Sequence, residues 1–217
     1  APAQRYLGNW TLPESAYSGQ KVTVRRLLNH TAGMPLGTLG MEYSPQSDMP
    51  SLRETLSHEA RLVREPGSGF LYSNTGFNLL ELLVEKVTGR DFAEYMADEV
   101  LAPLGMRSSS FAWKATLRPA IPTGYDLQGT PVPVYAYPAK ASGGLFAPVE
   151  DIARFVAAGM TGPYYADRTV LGREGIRKLY TPQVVVPGLF GVVADSYGFG
   201  YFIEKLSDGR RAVWHGG

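Results

Sequence analysis

With 217 residues, 44% of them hydrophobic and 19% charged, the chain is long enough to bury a real core and too apolar for a disordered segment. A formal net charge of +1, with both signs scattered, offers no electrostatic basis for binding nucleic acid or an anionic membrane. The absence of cysteine excludes disulfides, thiolate metal sites and a thiol nucleophile, and no apolar run approaches the roughly 18 residues of a membrane helix.

Residues 5–19 read as a loop rich in proline, glycine and aromatics. Thr23 then has the makings of a helix N-cap, with Val24, Leu27 and Leu28 as the buried stripe and Gly33 closing the element. After a further loop, Ser51-Leu52-Arg53-Glu54 forms a capping box, and Leu52, Leu56, Ala60 and Val63 recur at helical spacing. Residues 66–76, Pro-Gly-Ser-Gly-Phe-Leu-Tyr-Ser-Asn-Thr-Gly, make a glycine-rich corner that can aim side chains inward. A helix over 75–87 is expected next, with Asn74 available as its cap and Phe77, Leu80, Leu83, Val84 and Val87 on the inner face. Gly89 sits where a C′ glycine belongs. Asp91, followed by Glu94, caps another helix that carries Phe92, Tyr95 and Met96 inward and stops at Pro103.

Between 108 and 141 the pattern dissolves into prolines, tyrosines and short extended pieces. Pro148, Glu150 and Asp151 suit the first turn of a helix in which Ile152, Phe155 and Val156 pack. A weaker helix follows over 171–180. Residues 197–206 are strand-like, Asp208-Gly209 is a two-residue turn, and 210–215 return as a second strand. The chain therefore reads as one α/β (α+β) unit, mainly helical to residue 145 and then a helix with a sheet hairpin.

Four stretches in order carry a resemblance: residues 22–35, ending Asn29-His30-Thr31-Ala32-Gly33-Met34-Pro35; Tyr72-Ser73-Asn74 with the helix behind it and Ala102-Pro103-Leu104-Gly105-Met106; Ala141-Ser142-Gly143-Gly144-Leu145; and Val213-Trp214-His215-Gly216-Gly217. Together they resemble the penicillin-recognising serine hydrolases, in the branch with class C β-lactamases, family S12 D-Ala-D-Ala carboxypeptidases and β-lactamase-like esterases. The resemblance implies a helical domain packed on an antiparallel sheet and three motifs, Ser-x-x-Lys, Tyr-x-Asn and Lys/His-x-Gly; a related set has Ser-Asp-Asn in the second place. It implies that Tyr72 acts as the base for a serine, provided that a lysine cation favours its ionised form. Asn74 would hold that lysine and a substrate amide, and His215 would face both across the cleft, with Gly216 and Gly217 at the substrate. A peptide, β-lactam or ester substrate, no cofactor and an exported location follow from the same resemblance.

The chain departs from that pattern at the nucleophile. Its one Ser-x-x-Lys, Ser18-Gly19-Gln20-Lys21, lies in a glycine-containing loop with no helix to seat it. The resemblance puts the true serine and lysine upstream of Ala1, so that these 217 residues alone are expected to be inactive. His215 in place of lysine favours carboxypeptidase and esterase members, with a class C-type β-lactamase as the alternative and a non-catalytic penicillin-binding relative as the rival from another class. Read without the resemblance, Tyr72 is a half-buried aromatic, Asn74 a helix cap and His215 a strand histidine. His30 reads as structural at a helix end and His58 as an exposed helix residue. Lys140, near Gly143-Gly144, reads as a solvated loop lysine ahead of a residue lining the cleft, and Tyr125, Tyr135, Tyr137, Tyr164 and Tyr165 either rim a groove or cover the core. Three histidines in separate regions make no metal site.

Overall fold

The computed structural model describes residues 1–37, 43–160 and 170–216. Local capping chemistry decides where its helices start. Thr23 Oγ1 accepts from Arg26 N–H at 3.3 Å and opens α1 (Val24–Leu28). The reciprocal capping box of Ser51 and Glu54 opens α2 (Leu52–Glu59). Helix α3 (Asn74–Thr88) is the longest, and it ends on Gly89 in the left-handed region at φ +70°. Asp91 caps α4 (Phe92–Met96), accepting from Ala93 and Glu94 N–H, and a π turn continues to Leu101. Each such cap contributes on the order of 1 kcal/mol.

Several sequence expectations need correction here. Helix α1 ends at Leu28, not at Gly33. Gly33 instead marks a backbone crossing, with φ +75° and the site of its absent Cβ only 2.1 Å from the Arg64 carbonyl oxygen. The cap of α3 is Ser73, whose Oγ accepts from Gly76 N–H at 2.9 Å, so Asn74 is the first helical residue. The buried face of α3 is rotated from the expected one. Leu79 and Leu82 are buried, Leu80 and Leu83 lie at the margin, and Val87 is exposed. Val63 is likewise exposed. The main core joins Leu79 and Leu82 to Leu27, Leu56, Met34 and Trp10, each large side chain worth about 1.5–3 kcal/mol of burial.

Downstream, β1 (Gly124–Tyr125) and β2 (Pro131–Val132) form a small hairpin, and α5 (Val149–Gly159) begins after Pro148. The face of α5 expected to pack is open: Ile152, Phe155 and Val156 are exposed, while Asp151 is buried. Asp151 accepts from Ser108 N–H at 2.9 Å and Ser109 Oγ at 2.8 Å and pairs with Arg154, which ties α5 to the 108–109 segment.

After α6 (Arg173–Leu179), the sheet has four antiparallel strands in the order β3 (Val184–Val185), β4 (Ser196–Tyr197), β5 (Phe202–Lys205), β6 (Arg211–Trp214). The single strand expected over 197–206 is two. At Gly198 the chain passes so close to α6 that a Cβ would lie 2.1 Å from the Leu179 carbonyl oxygen, and Gly198 N–H bonds Tyr201 O at 2.8 Å. This forces a turn between β4 and β5. The turn at Asp208-Gly209 does join β5 to β6, in register Phe202↔Trp214 and Ile203↔Val213, but it is longer than the two residues expected: Leu206 N–H donates to Arg210 O at 2.8 Å and Ser207 joins the loop.

Sheet and helices meet through Phe70, Val186, Tyr197 and Phe202, with Tyr72 and Trp214 packed against them. Gly200 N–H donates to Leu28 O at 3.1 Å and Arg25 Nη1 to Gln183 Oε1 at 2.8 Å. The 66–76 corner is thus pressed between α1 and the sheet.

Candidate active site

The corner is fixed by three neighbours before any chemistry is considered. Leu71 N–H donates to His30 O at 2.7 Å, Ser73 N–H donates to His30 Nδ1 at 3.1 Å, and Asn74 N–H donates to Leu36 O at 2.9 Å. Ser73 Oγ donates to Pro35 O at 2.6 Å while accepting from Gly76 N–H. Its hydroxyl is committed to holding the corner, which removes it as a nucleophile.

A cavity of about 500 Å³ opens beside the corner, and Tyr72, Asn74 and His215 all line it. Tyr72 Oη and His215 Nε2 are 3.2 Å apart, bringing together residues from the helical region and from the end of β6. Three of the five expected site residues are therefore collected in one cleft. Gly216 is exposed, does not line the cavity, and would present a Cβ to open space; Gly217 lies outside the described residues. Ser18 and Lys21 are exposed and absent from the cleft lining, and Lys21 pairs with Glu65 at 2.5 Å.

Burial raises the Tyr72 pKa above its usual value near 10. His215 keeps an exposed surface, but its ring lies 5.9 Å from Tyr72 and 5.7 Å from Phe202, and partial burial holds its pKa below 6.5. Both groups are neutral at pH 7, so their contact is a neutral hydrogen bond whose direction follows the imidazole tautomer. Among the described residues no cation hydrogen-bonds the phenol. Ionising Tyr72 requires a positive charge brought within about 4–6 Å.

His30 carries more of the site than its place at a helix end suggested. Its φ of +56° is rare for a residue with a side chain and turns the ring inward, 4.3 Å from Tyr72 and 4.9 Å from Tyr197. Burial, with a smaller push from His215, lowers its pKa to about 3. Neutral, and accepting at Nδ1 from Ser73, it carries its proton on Nε2 and donates to Tyr197 Oη at 3.2 Å.

Lys140 is not a solvated loop lysine. It lines the cleft and pairs with Asp91 at 3.2 Å. Tyr135 and Tyr137 line an adjoining apolar cavity of about 420 Å³ that shares Phe111, Lys140, Gly143, Gly144 and Leu145 with the first. Tyr125 is exposed on β1, and Tyr164 and Tyr165 fall outside the described residues. His58 is exposed, and the described residues contain no group of three side chains suited to a metal ion.

A helical region packed on an antiparallel sheet, with a Tyr-x-Asn corner and a His-x-Gly strand meeting between them, defines a serine β-lactamase/transpeptidase type of fold. The chain belongs to the Beta-lactamase family, whose model matches residues 1–217. It is similar to penicillin-binding protein 4* of Bacillus subtilis, 26% identical over 95% of this chain and 48% of that protein. Among solved structures it is similar to the octameric penicillin-binding protein homologue from Pyrococcus abyssi (30% identity, TM-score 0.73, 98% of this chain and 49% of that one). A D-stereospecific amidohydrolase from Streptomyces shares the fold (23% identity, TM-score 0.71, 100% of this chain and 66% of that one). The chain spans about half the length of the curated relative, and hydrolase is the function at the level of the family.

Proposed function

We propose that the whole protein is a serine hydrolase that cleaves an amide or ester through an acyl-serine intermediate, with the serine and its lysine supplied by residues beyond these 217. The observation that carries this reading is the 3.2 Å contact of Tyr72 Oη with His215 Nε2 in a cleft also lined by Asn74. A serine hydroxyl is a weak nucleophile until a base accepts its proton. Tyr72 fills that role once a lysine cation offsets the upward pull of burial on its pKa. It then returns the proton to the leaving amine or alcohol, and water releases the acyl group by the same route reversed. His215 hydrogen-bonds the phenol, and Asn74 offers an amide to a substrate carbonyl or N–H. The adjoining cavity, with Trp113, Phe146 and Tyr135 in its wall, favours a substrate with an apolar group. An exported location is part of the same proposal.

Labelling tests it. The full-length protein should react with a fluorophosphonate probe at one serine, and Tyr72→Phe should slow acylation by about 10²-fold or more. Unchanged turnover of an activated ester by Tyr72→Phe would sink the assignment. Covalent capture of a fluorescent penicillin, followed by fast release, would favour β-lactamase over peptidase or esterase activity.

A further inference from the structure

Glu81 is a carboxyl with no solvent exposure, set on the inner side of α3. Its Oε2 accepts two main-chain hydrogen bonds, from Lys140 N–H at 2.6 Å and Ala141 N–H at 2.8 Å. Its Oε1 accepts none among the described residues; Lys140 Nζ stands 3.9 Å away. An apolar side chain of similar size would fill this space without the desolvation a buried carboxyl suffers. The return on that cost is the fixed path of the segment that Glu81 grips.

That segment is the cleft rim. Residues 140–145 all line the cleft. The turn is closed from its other side by Gly144 N–H donating to Lys140 O at 2.7 Å, where a Cβ on Gly144 would sit 2.7 Å from Lys140 Cα. Lys140 is held a third way, by Asp91 at the N-cap of α4. Main chain, turn and side chain of one residue are thus anchored to two helices.

We infer that Glu81 is a positioning residue: its carboxyl clamps the Lys140 and Ala141 amides so that the rim from Ser142 to Leu145 meets the substrate in one fixed place. The inference rests on the hydrolase reading above. Burial moves the Glu81 pKa up to about 7, against the two amides and Lys140, and Glu85 pushes the same way as burial. A proton added at Oε1 leaves Oε2 free to accept both amides, so the clamp holds on either side of this titration. Among the described residues Asp91 is linked to Glu81 through Lys140.

In the full-length protein, Glu81→Gln keeps an oxygen acceptor and should retain kcat/KM for an activated ester within about threefold, with the wild-type pH profile. Glu81→Leu should raise KM and lower kcat/KM by about 10–100-fold, since small misplacements near a reacting centre carry such penalties. Hydrogen exchange at the Lys140 and Ala141 amides should quicken in Glu81→Leu and not in Glu81→Gln; Glu81→Ala is the substitute if the leucine variant does not fold. Protected amides and a wild-type KM in the leucine or alanine variant would overturn the clamp, as would a glutamine variant equally impaired. Failure of the wild type to react with a fluorophosphonate would overturn the hydrolase reading instead, and the exchange measurement would still decide whether the clamp exists.

Discussion

The His30 ring lies 4.3 Å from that of Tyr72 and receives the N–H of Ser73, the next residue, on its Nδ1. One buried imidazole therefore orients both the phenol and the corner that bears it. The folded state keeps His30 neutral down to about pH 3, whereas the unfolded chain protonates it near 6.5. Its contribution to stability is complete above pH 6.5 and is lost as the pH falls toward 3, by up to about 1.4 kcal/mol per pH unit. Urea midpoints measured from pH 7.5 to 4.5 should fall more steeply for wild type than for His30→Gln. Parallel curves would remove the link between His30 burial and acid sensitivity.

His215 must be neutral for its Nε2 to accept the hydrogen bond of the Tyr72 phenol, and burial holds its pKa below 6.5. The acid limb of kcat/KM in the full-length protein should accordingly lie below pH 6.5. His215→Gln should lower kcat/KM and remove that limb. Persistence of the limb in the glutamine variant would assign it to another group.

Asp151 is expected to be a stability residue rather than a site residue. Replacing it with alanine removes the charged acceptor of the Ser108 N–H and the Ser109 hydroxyl, both within reach of water, and should cost about 1–2 kcal/mol. Thermal unfolding of Asp151→Ala and Asp151→Asn would check this, with asparagine the milder change because it keeps an oxygen acceptor.

Gly198→Ala should be disproportionately harmful for so small a change. The added methyl has a main-chain carbonyl at 2.1 Å, so α6 or the β4–β5 turn must shift, at a cost of about 1–3 kcal/mol. A variant with an unchanged denaturation midpoint would show that the turn has slack.

What was legible in the sequence follows from the range over which each feature is determined. The Thr23, Ser51 and Asp91 caps, the Gly89 terminus and the Asp208-Gly209 turn depend on residues within one helical turn, and each stands where its pattern put it. Which face of a helix is buried depends on what lies opposite. The apolar residues of α3 surround more than half the helix, so periodicity alone chose Phe77 and Val87 over Leu79 and Leu82. The stripe on α5 is regular, yet Ile152, Phe155 and Val156 stay exposed, with Phe155 at the cleft. A β-rich run from 197 to 206 hid a turn that only the nearness of Leu179 explains.

Tyr72, Asn74 and His215 were found through motif order, and the cleft gathers them. Glu81 was missed because nothing local marks a helix glutamate as the acceptor for main-chain amides 59 and 60 positions away.

The contact of Tyr72 with His215 spans 143 residues of sequence. Contacts this remote appear only after a large loop has been closed, and chains dominated by them fold slowly. Helices α1 to α4 can assemble from near neighbours, but the phenol of Tyr72 lacks its His215 partner until β6 is in place. During synthesis the helical half leaves the ribosome well before His215 does, so the Tyr72–His215 contact forms after the helices and is lost when the sheet lifts from the 66–76 corner.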